Sequence, residues 1–574
     1  MVTHPAVIMG QMAEGFDGGS RARGRTLTAL LTTTLTMVLF AGVALAGCSA
    51  PTDDPEPDPP RKPNVVLVMT DDQWLESMRV MPRTQRLLGD RGVTFDQHYT
   101  SFPLCCPSRS TYLTGQFAHN NGVRHNFPPQ GGYLNLDDDN TLPVWMQRAG
   151  YTTSHIGKYP NGYGYRDETV VPPGWDEWRG SVDPSTYRMW GYRLNENGKL
   201  RTYGNAHVED PDLYQTDVYR DKGADFIDRQ ARAGNPFFLS MSFLAPHSED
   251  VDVGPGPRPA PRHDDAFAGE PLPTGPSFDE QDMSDKPAFL QSRPRFDEDH
   301  RRVITESHQE RLESLLAVDE AVQKLVDTLR SAGQLDDTYL LFTSDNGFFF
   351  GEHRVHTGKY LPHESSAHVP MLIRGPDLAA GRHSRELTSN VDLAATIADI
   401  GGAEPDLALD GRSLLPFARD PHQCTTRPLL HEAATGARPE PIETRPARGL
   451  DDAAGRAAAQ GNLDQEGPAW SRDNPGRGEQ DRNGKGEGEK GEVDSASYEA
   501  IRTERYLYVR YARGERELYD LHTDPHELNS RHNDPRYAAP QRFLDRHLDE
   551  LQGCRGQECR VGIPAAPSPA ASPQ

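Results

Sequence analysis

Short apolar runs and amphipathic segments alternate along most of the chain. The apolar runs predict strands at 64–69, 152–156, 236–243, 339–343 and 369–374. Helices are predicted at 141–149, 216–233, 315–329 and 391–400, several of them ending at a glycine. A continuous apolar run suits a strand that is buried on both faces. The alternation therefore predicts an α/β fold with a large, mostly parallel sheet between layers of helices.

The pattern changes towards the C-terminus. Residues 433–495 are rich in Gly, Glu, Arg, Asp and Asn, and their few aliphatic side chains cannot offset the entropy of ordering, so we predict a disordered insert. Strands resume in 496–552, which predicts a small C-terminal α+β subdomain. The tail 553–574 is rich in Pro, Ala and Ser after Arg560 and is expected to be mobile. The proline-rich stretch 251–295 lacks periodicity and predicts loops beside a cleft.

The N-terminal residues 1–47 have the pattern of a lipoprotein-type export signal. Arginines precede an apolar stretch from Leu27 to Ala46, and the sequence Leu-Ala-Gly-Cys that ends at Cys48 resembles a bacterial lipobox. This resemblance implies a lipidated Cys48 that anchors the protein on the outer face of a bacterial cell membrane. A plain secretory signal or a simple membrane anchor are the alternatives. Residues 48–61, rich in Asp and Pro, predict a flexible tether.

Composition and charge narrow the classes of partner. The chain has 574 residues and a formal net charge of −24, which argues against nucleic acid as a partner. An anionic substrate must therefore be held by a few locally placed cations. Because an exported protein lies in an oxidising compartment, Cys554 and Cys559 are expected to form a small-loop disulfide. Cys106 and Cys424 remain unassigned.

Carboxylate and amide residues follow two of the predicted strands. Asp71 and Asp72 come after the first strand, and Asp345 and Asn346 follow the strand at 339–343. Ligand sites in open α/β sheets gather beyond the carboxyl ends of strands, where a hard cation would relieve the repulsion between carboxylates. The alternatives are a helix N-cap for the first pair and a hairpin turn for the second.

The stretch from Leu104 to Gly115 carries the most specific chemistry. Its sequence is Leu-Cys-Cys-Pro-Ser-Arg-Ser-Thr-Tyr-Leu-Thr-Gly, with Pro107 at the predicted start of a helix and Arg109 one turn further on. The amides at such a helix start and the guanidinium favour an oxyanion. The spacing Cys105-x-Pro-x-Arg followed by Leu-Thr-Gly resembles the signature of type I sulfatases. A structural disulfide, half a zinc site or buried thiols are the competing interpretations.

The resemblance implies a set of site residues. It implies that Cys105 is oxidised to formylglycine by a formylglycine-generating enzyme, and that its hydrate is the nucleophile. Lys158 matches the lysine of a Gly-Lys element that follows the signature, and His247 matches an active-site histidine. Lys359, five residues before Glu364, matches a later lysine. The same resemblance makes Asp71, Asp72, modified Cys105, Asp345 and Asn346 the ligands of Ca²⁺, with Mg²⁺ as the alternative.

Local motifs resemble one branch of the family more than the others. Many sulfatases have histidine two residues after the Gly-Lys lysine, whereas this chain has Pro160. The motif Gly-Lys-Tyr-x-Asn that starts at Gly157 resembles N-acetylglucosamine-6-sulfatases. The resemblance covers 62–432 and 496–552, and it implies an alkaline-phosphatase-like α/β/α sandwich, with 62–432 as the catalytic domain. It also implies that the substrate is a sulfated sugar or glycan.

Two other functions fit the same sequence. Some phosphonate and phosphodiester hydrolases of the superfamily also use formylglycine. A lipoprotein that binds sulfated glycans without turnover is the non-enzymatic alternative, but a decayed site would be expected to lack one of the nucleophile, cation or ligand positions.

Overall fold

The fold is described in a computed structural model for residues 62–250, 254–433 and 497–571. The predicted signal 1–47 and tether 48–61 lie outside the described residues, as does the predicted insert apart from its first residue, Ala433. Among the described residues, no helix combines the length and the hydropathy that crossing a bilayer requires.

The main sheet has ten strands among the described residues, in the order β11-β2-β10-β9-β1-β8-β4-β5-β6-β7. The strands that precede the C-terminal subdomain are β1 Asn64–Thr70, β2 Val93–Phe95, β3 His98–Tyr99, β4 Thr152–Gly157, β5 Glu177–Ser181, β6 Tyr192–Glu196, β7 Lys199–Tyr203, β8 Phe237–Ser242, β9 Thr338–Ser344, β10 Met371–Arg374, β11 Arg382–Ser384 and β12 Thr388–Ser389. The central strands β9, β1, β8, β4 and β5 run parallel, whereas β6, β7 and β10 are antiparallel to their neighbours. The sheet is thus mixed, with the predicted parallel arrangement at its centre.

Helices cover both faces of this sheet. They are α1 Pro82–Thr84, α2 Cys105–Thr114, α3 Ala118–Asn121, α4 Leu142–Arg148, α5 Gln215–Ala233, α6 Ala288–Gln291, α7 Glu298–Ser331, α8 Glu364–Ala367, α9 Asp392–Gly401, α10 Leu415–Arg419 and α11 Ala538–Leu551. Successive side chains of a strand point to opposite faces. Val66 and Val68 of β1 accordingly join the core with α5 and α7, and Val65, Leu67 and Met69 join the core with α2, α4 and α9.

The C-terminal subdomain is a four-stranded antiparallel sheet packed on α11. Its strands are β13 Leu429–Ala433, β14 Tyr498–Arg502, β15 Tyr506–Tyr511 and β16 Arg516–Asp520. β13 pairs with β14 although 64 residues lie between Ala433, the last residue of β13, and Tyr498, the first residue of β14. The sequence pattern places 429–432 in the predicted catalytic domain, because a five-residue strand at a compositional boundary has too little pattern of its own.

Three local details differ from the sequence expectations. α2 begins at Cys105, two residues before Pro107, so the signature cysteine lies in the first turn. Gly401 is the last residue of α9, and the left-handed residue that caps this helix is Gly402, with a φ of 59°. The tail beyond Arg560 is described up to residue 571 and is held by backbone hydrogen bonds from Ile563 to Thr426 and from Ala570 to Arg536.

Cys554 and Cys559 form the expected disulfide, which closes a small loop after α11. Replacing both with serine is expected to lower the free energy of unfolding by about 2 kcal/mol, because a short loop removes little entropy from the unfolded chain. Urea unfolding measures this change. Cys424→Ser is the matched control, since Cys424 is an exposed free cysteine. Equal stability of the double variant and the wild type would contradict the prediction.

Candidate active site

Two adjacent strands deliver the acidic residues to one point. β1 and β9 are parallel neighbours, and their last residues, Thr70 and Ser344, are paired in the register. Asp71 and Asp72 therefore emerge at the same height as Asp345 and Asn346. The Asp72 backbone N–H donates to Asp345 Oδ1 at 3.2 Å, and Asn346 Nδ2 donates to Asp72 Oδ1 at 2.5 Å. The structure thus brings together two pairs of residues that lie 274 positions apart in the chain.

Asp72 has a φ of 64°, the left-handed conformation that Asp tolerates better than most residues. This turn lets the carboxylates of Asp71 and Asp72 face different partners. Asp71 lies beside Cys105, with 3.5 Å between its Oδ1 and the Cys105 Sγ, whereas Asp72 lies beside Lys359. All of the carboxylates are buried.

Cys105 lies at the N-terminus of α2 and is completely buried. Its Sγ is 2.7 Å from Lys359 Nζ. Burial, and then the negative charge of Asp71, raise the pKa of the Cys105 thiol well above its usual range. An unmodified thiol in this position is therefore protonated and weakly nucleophilic, because the thiolate is the reactive form.

Three cations neutralise the acidic cluster. Arg109 bridges two carboxylates, with its Nε donating to Asp345 Oδ2 at 2.8 Å and its Nη2 donating to Asp71 Oδ2 at 3.0 Å. Lys158 Nζ is 2.5 Å from Asp71 Oδ2, and Lys359 Nζ is 2.5 Å from Asp72 Oδ1. Arg109 also donates from Nη1 to the Lys158 carbonyl at 3.0 Å, which fixes the two cations relative to each other.

The charges shift the acid pKa values in opposite directions. Burial opposes ionisation of Asp71, but the charges of Lys158 and Arg109 overcome it and hold its pKa well below the usual range. Burial and then the charge of Asp71 raise the pKa of Asp345 to about 6, although Arg109 opposes this shift. Crowded carboxylates of this kind raise each other's pKa values unless cations offset the repulsion.

The donor set fits a hard divalent cation. Asp71, Asp72, Cys105 and His247 each offer one ligand atom, and these atoms lie within 4.8 Å of one another. Among the described residues, Asn346 Oδ1 is buried without a hydrogen-bond partner, which is costly unless a cation or another ligand satisfies it. Carboxylate and amide oxygens are the ligands that Ca²⁺ and Mg²⁺ prefer, so the residues fit either ion.

His247 lies at the open side of this cluster. It follows β8, and its Nδ1 is 2.7 Å from the Ser248 carbonyl, an arrangement in which Nδ1 carries the proton. Its Nε2 is 3.7 Å from Asp72 Oδ2. Burial lowers the pKa of His247, although Asp72 and Asp71 oppose the shift. The side chains of His247 and Lys359 are 12% and 13% exposed, whereas Cys105 is inaccessible.

The structure brings every predicted site residue into one network and adds two that sequence reasoning missed. Arg311 of α7 is buried, 3.7 Å from Asp72 Oδ2, and its guanidinium lies 3.6 Å from the centre of the Phe348 ring. A charged residue in the apolar stripe of α7 was the available signal. Tyr187 lies under Lys158 Nζ at 4.5 Å and beside the His247 ring at 5.2 Å, and the sequence held no signal for it.

Pro160, which stands where many sulfatases have histidine, is buried next to Asn161. Asn161 Nδ2 donates to the Tyr187 hydroxyl at 2.6 Å. The segment after Lys158 therefore supports the tyrosine that packs on Lys158 and His247, and it contributes no imidazole to the site.

Comparison with known proteins gives consistent matches. The sulfatase family model matches residues 63–403. An extracellular sulfatase Sulf-1 homolog of Caenorhabditis elegans is 36% identical over 61% of this chain, which spans 48% of that relative. Human N-acetylglucosamine-6-sulfatase is 34% identical over 64% of this chain and 66% of its own length.

A solved structure of a protein in complex with its substrate, D-glucosamine-2-N,6-O-disulfate, has the same fold. It superimposes with a TM-score of 0.65 at 22% identity, over 87% of this chain and 98% of the other. The alkaline-phosphatase-like architecture with a small C-terminal antiparallel sheet is therefore confirmed. The family model covers more than half of the chain and includes every residue of the buried cluster. The chain belongs to the sulfatase family.

Proposed function

We propose that this protein is an exported sulfatase that hydrolyses sulfate monoesters of a sulfated sugar. One observation carries the proposal: Cys105 Sγ lies at a helix N-terminus, 2.7 Å from Lys359 Nζ and 3.5 Å from Asp71 Oδ1, inside a buried set of hard-cation ligands. This arrangement combines a position for a nucleophile with fixed positive charge for an oxyanion.

Two additional groups complete the proposed site. Asp71, Asp72, Asp345 and Asn346 would hold Ca²⁺, or alternatively Mg²⁺, which would neutralise charge on the sulfate group. Cys105, converted to formylglycine by a formylglycine-generating enzyme, would supply an oxygen nucleophile at the position of the present sulfur.

The chain's own cations orient the sulfate group. Lys158, Lys359 and Arg109 are already fixed by buried carboxylates, so they need little reorganisation when charge develops on the sulfate oxygens. Burial opposes ionisation of Asp72, but the charge of Lys359, with a smaller contribution from Arg311 at 3.7 Å, lowers the pKa of this carboxyl. Because most of these groups are buried, bulk water is excluded from the reacting bond, which strengthens each electrostatic interaction.

His247 is the proposed general acid. Hydrolysis breaks the S–O bond to the sugar, and the departing alkoxide takes a proton to become the alcohol. With Nδ1–H held by the Ser248 carbonyl, Nε2 is the nitrogen that faces the cluster. Burial lowers the pKa of His247, but the charges of Asp72 and Asp71 favour the imidazolium form, in which His247 would deliver the proton from Nε2. The net reaction consumes one water molecule and yields the desulfated sugar and inorganic sulfate.

The substrate class rests on the relatives. Human N-acetylglucosamine-6-sulfatase covers about two thirds of this chain at 34% identity, and the solved complex contains a glucosamine disulfate. These matches support a 6-sulfated amino sugar. The N-terminal pattern and the C. elegans relative, which is named extracellular, support export, with anchoring through lipidated Cys48 as part of the proposal.

A substrate panel tests the proposal. The full chain, produced together with a formylglycine-generating enzyme and loaded with Ca²⁺, is assayed with N-acetylglucosamine-6-sulfate, an aryl sulfate, an aryl phosphonate and a phosphodiester. We expect the highest kcat/KM for a sulfate ester. A higher kcat/KM for the phosphonate or the diester would identify the alternative hydrolase. Sulfated-sugar binding without any turnover would identify the glycan-binding lipoprotein.

His247→Gln is expected to impair sugar-sulfate hydrolysis far more than aryl-sulfate hydrolysis. A sugar alkoxide is strongly basic and needs a proton as it leaves, and donation of this proton by a general acid accelerates the reaction about 10²- to 10⁴-fold. A nitrophenolate leaves without a proton. The measurement compares kcat of the variant and the wild type on both substrates. An equal loss on both would assign His247 to sulfate binding and would contradict its role as general acid.

A further inference from the structure

A second candidate site lies on the edge of the main sheet opposite to the active site. A cleft of about 520 Å³ is lined there by Arg86, Arg91, Arg330 and Arg374, together with Asp336 and short apolar residues. We call it the arginine cleft. None of its residues belongs to the network around Cys105.

The strand directions establish its position. Asp336 precedes β9, and Arg374 ends β10, which runs antiparallel to β9. The cleft therefore lies at the amino end of β9, whereas Asp345 lies beyond its carboxyl end. The seven residues of β9 span roughly 20 Å, since a strand rises about 3.3 Å per residue. An anion in the cleft is thus too far away to share the active-site cations.

The concentration of positive charge is unusual for this chain. The formal net charge is −24, yet four guanidinium groups and one carboxylate line this cleft. Within residues 62–250, 254–433 and 497–571, neither Arg86 nor Arg91 forms an ion pair or a side-chain hydrogen bond, and both are exposed. Arg330 pairs with Asp327, and Arg374 Nη1 donates to the Leu87 carbonyl at 3.1 Å. At least two guanidinium groups are therefore available to a ligand.

The arginines repel one another. Burial lowers the pKa of Arg374; Asp336 opposes this shift, and the charges of Arg330 and Arg91 add to it. A bound anion would remove this repulsion. Guanidinium groups suit tetrahedral oxyanions in particular, because their planar fork of donors matches two oxygens at once.

We propose that the arginine cleft binds a phosphate or sulfate group, independently of the active site. The group has two available sources, free inorganic oxyanions and the phosphodiester of an anionic lipid headgroup. The headgroup is an available source because β1 begins on this edge, where Asn64 hydrogen-bonds Gln334 and Thr338, and the predicted tether 48–61 precedes β1 in the chain.

Titration calorimetry on the full chain tests the proposal in a crossed design. The ligands are inorganic phosphate, inorganic sulfate and glycerophosphoglycerol, a water-soluble diester headgroup, all at constant ionic strength. Arg86→Gln/Arg91→Gln removes the two available guanidinium groups of the cleft, and Lys359→Ala impairs the active site. Arg302→Gln is the matched control, since Arg302 is an exposed arginine of α7 that pairs with Glu306 outside the cleft.

We expect phosphate to bind two independent classes of site in the wild type. The double arginine variant should weaken one class by about tenfold or more and leave turnover unchanged, because charge-assisted hydrogen bonds are lost there. Lys359→Ala should weaken only the other class, and Arg302→Gln should change neither. In the Lys359→Ala protein, tighter binding of the diester identifies a headgroup site, and tighter binding of inorganic phosphate identifies a site for free oxyanions.

Two results would overturn the proposal. The first is a phosphate isotherm of the double arginine variant that matches the wild type. The second is a chloride titration that gives the same binding signal as phosphate at the same ionic strength, because the effect would then be nonspecific screening. Neither result depends on whether the active site hydrolyses sulfate esters, so failure here leaves the proposed function intact.

Discussion

Cys105→Ala is expected to remove all measurable sulfate-ester hydrolysis, whereas Cys106→Ala should retain most of it. Only Cys105 faces the acidic cluster and Lys359. Cys106 is buried in the core between the sheet and α2, where its backbone N–H donates to Asn126 Oδ1 at 2.9 Å. Truncating Cys106 therefore leaves a small cavity and costs stability, about 1 kcal/mol, but it changes no group that faces the substrate. The measurements are kcat on a sulfate ester and thermal unfolding of both variants.

Mass spectrometry of the active wild-type protein adds a second readout. The peptide that contains Cys105 should be lighter than its cysteine form, because formylglycine replaces sulfur with oxygen and has two fewer hydrogens. Cys105→Ser should also be inactive when only a cysteine-specific modifying enzyme is present, since a single hydroxyl cannot form the aldehyde hydrate. Unmodified Cys105 in a fully active preparation would exclude the proposed nucleophile.

Asp345→Asn is expected to abolish the metal-dependent activity, by at least about 10³-fold, in a protein that still folds. The side chain keeps its shape but loses the charge that faces Arg109 Nε at 2.8 Å and the proposed cation. Bound Ca²⁺ should fall in parallel, and so should the stabilisation that Ca²⁺ gives the wild type, because a ligand stabilises only the state that binds it. Metal analysis and thermal unfolding with and without Ca²⁺ measure both effects.

A second buried aspartate–arginine pair provides the matched control. Asp392 accepts hydrogen bonds from both terminal nitrogens of Arg427 and lies outside the cluster around Cys105. Asp392→Asn should lower the free energy of unfolding by the amount expected when a buried ion pair is broken. It should leave the Ca²⁺ stoichiometry and the stabilisation by Ca²⁺ unchanged. Full activity of Asp345→Asn after exhaustive chelation would contradict the assigned metal ligands.

The sequence determined five strands of the main sheet, β1, β4, β8, β9 and β10, because their pattern is local. β1 and β9 are continuous apolar runs that any buried strand requires, and α5 and α7 carry the periodicity of a helix that packs on one face. Strand ends were predicted to within a residue or two for the same reason. The tail beyond Arg560 makes backbone contacts, such as Ile563 with Thr426, that composition does not reveal.

Site residues in the chain's short motifs could also be predicted, since residue type and spacing already suggest their chemistry. Cys105, Arg109 and the acidic pairs after β1 and β9 were found in this way. Arg311 was not, because a charged residue in the apolar stripe of a helix does not show which group it faces. Its role follows only from the rotation of α7 that points this side chain at Asp72, 3.7 Å away.

What the sequence alone determined is thus the local structure and the chemical identity of the site residues. The tertiary structure decided which of them meet. The pairing of Thr70 with Ser344 places two acidic segments at one height, and β13 joins β14 across a long intervening segment. The four arginines of the arginine cleft likewise come from three separate stretches of the chain, around 86–91, at the end of α7 and at the end of β10. The physical reason is that strand register and helix packing depend on complementary surfaces distant in sequence, which no local pattern specifies.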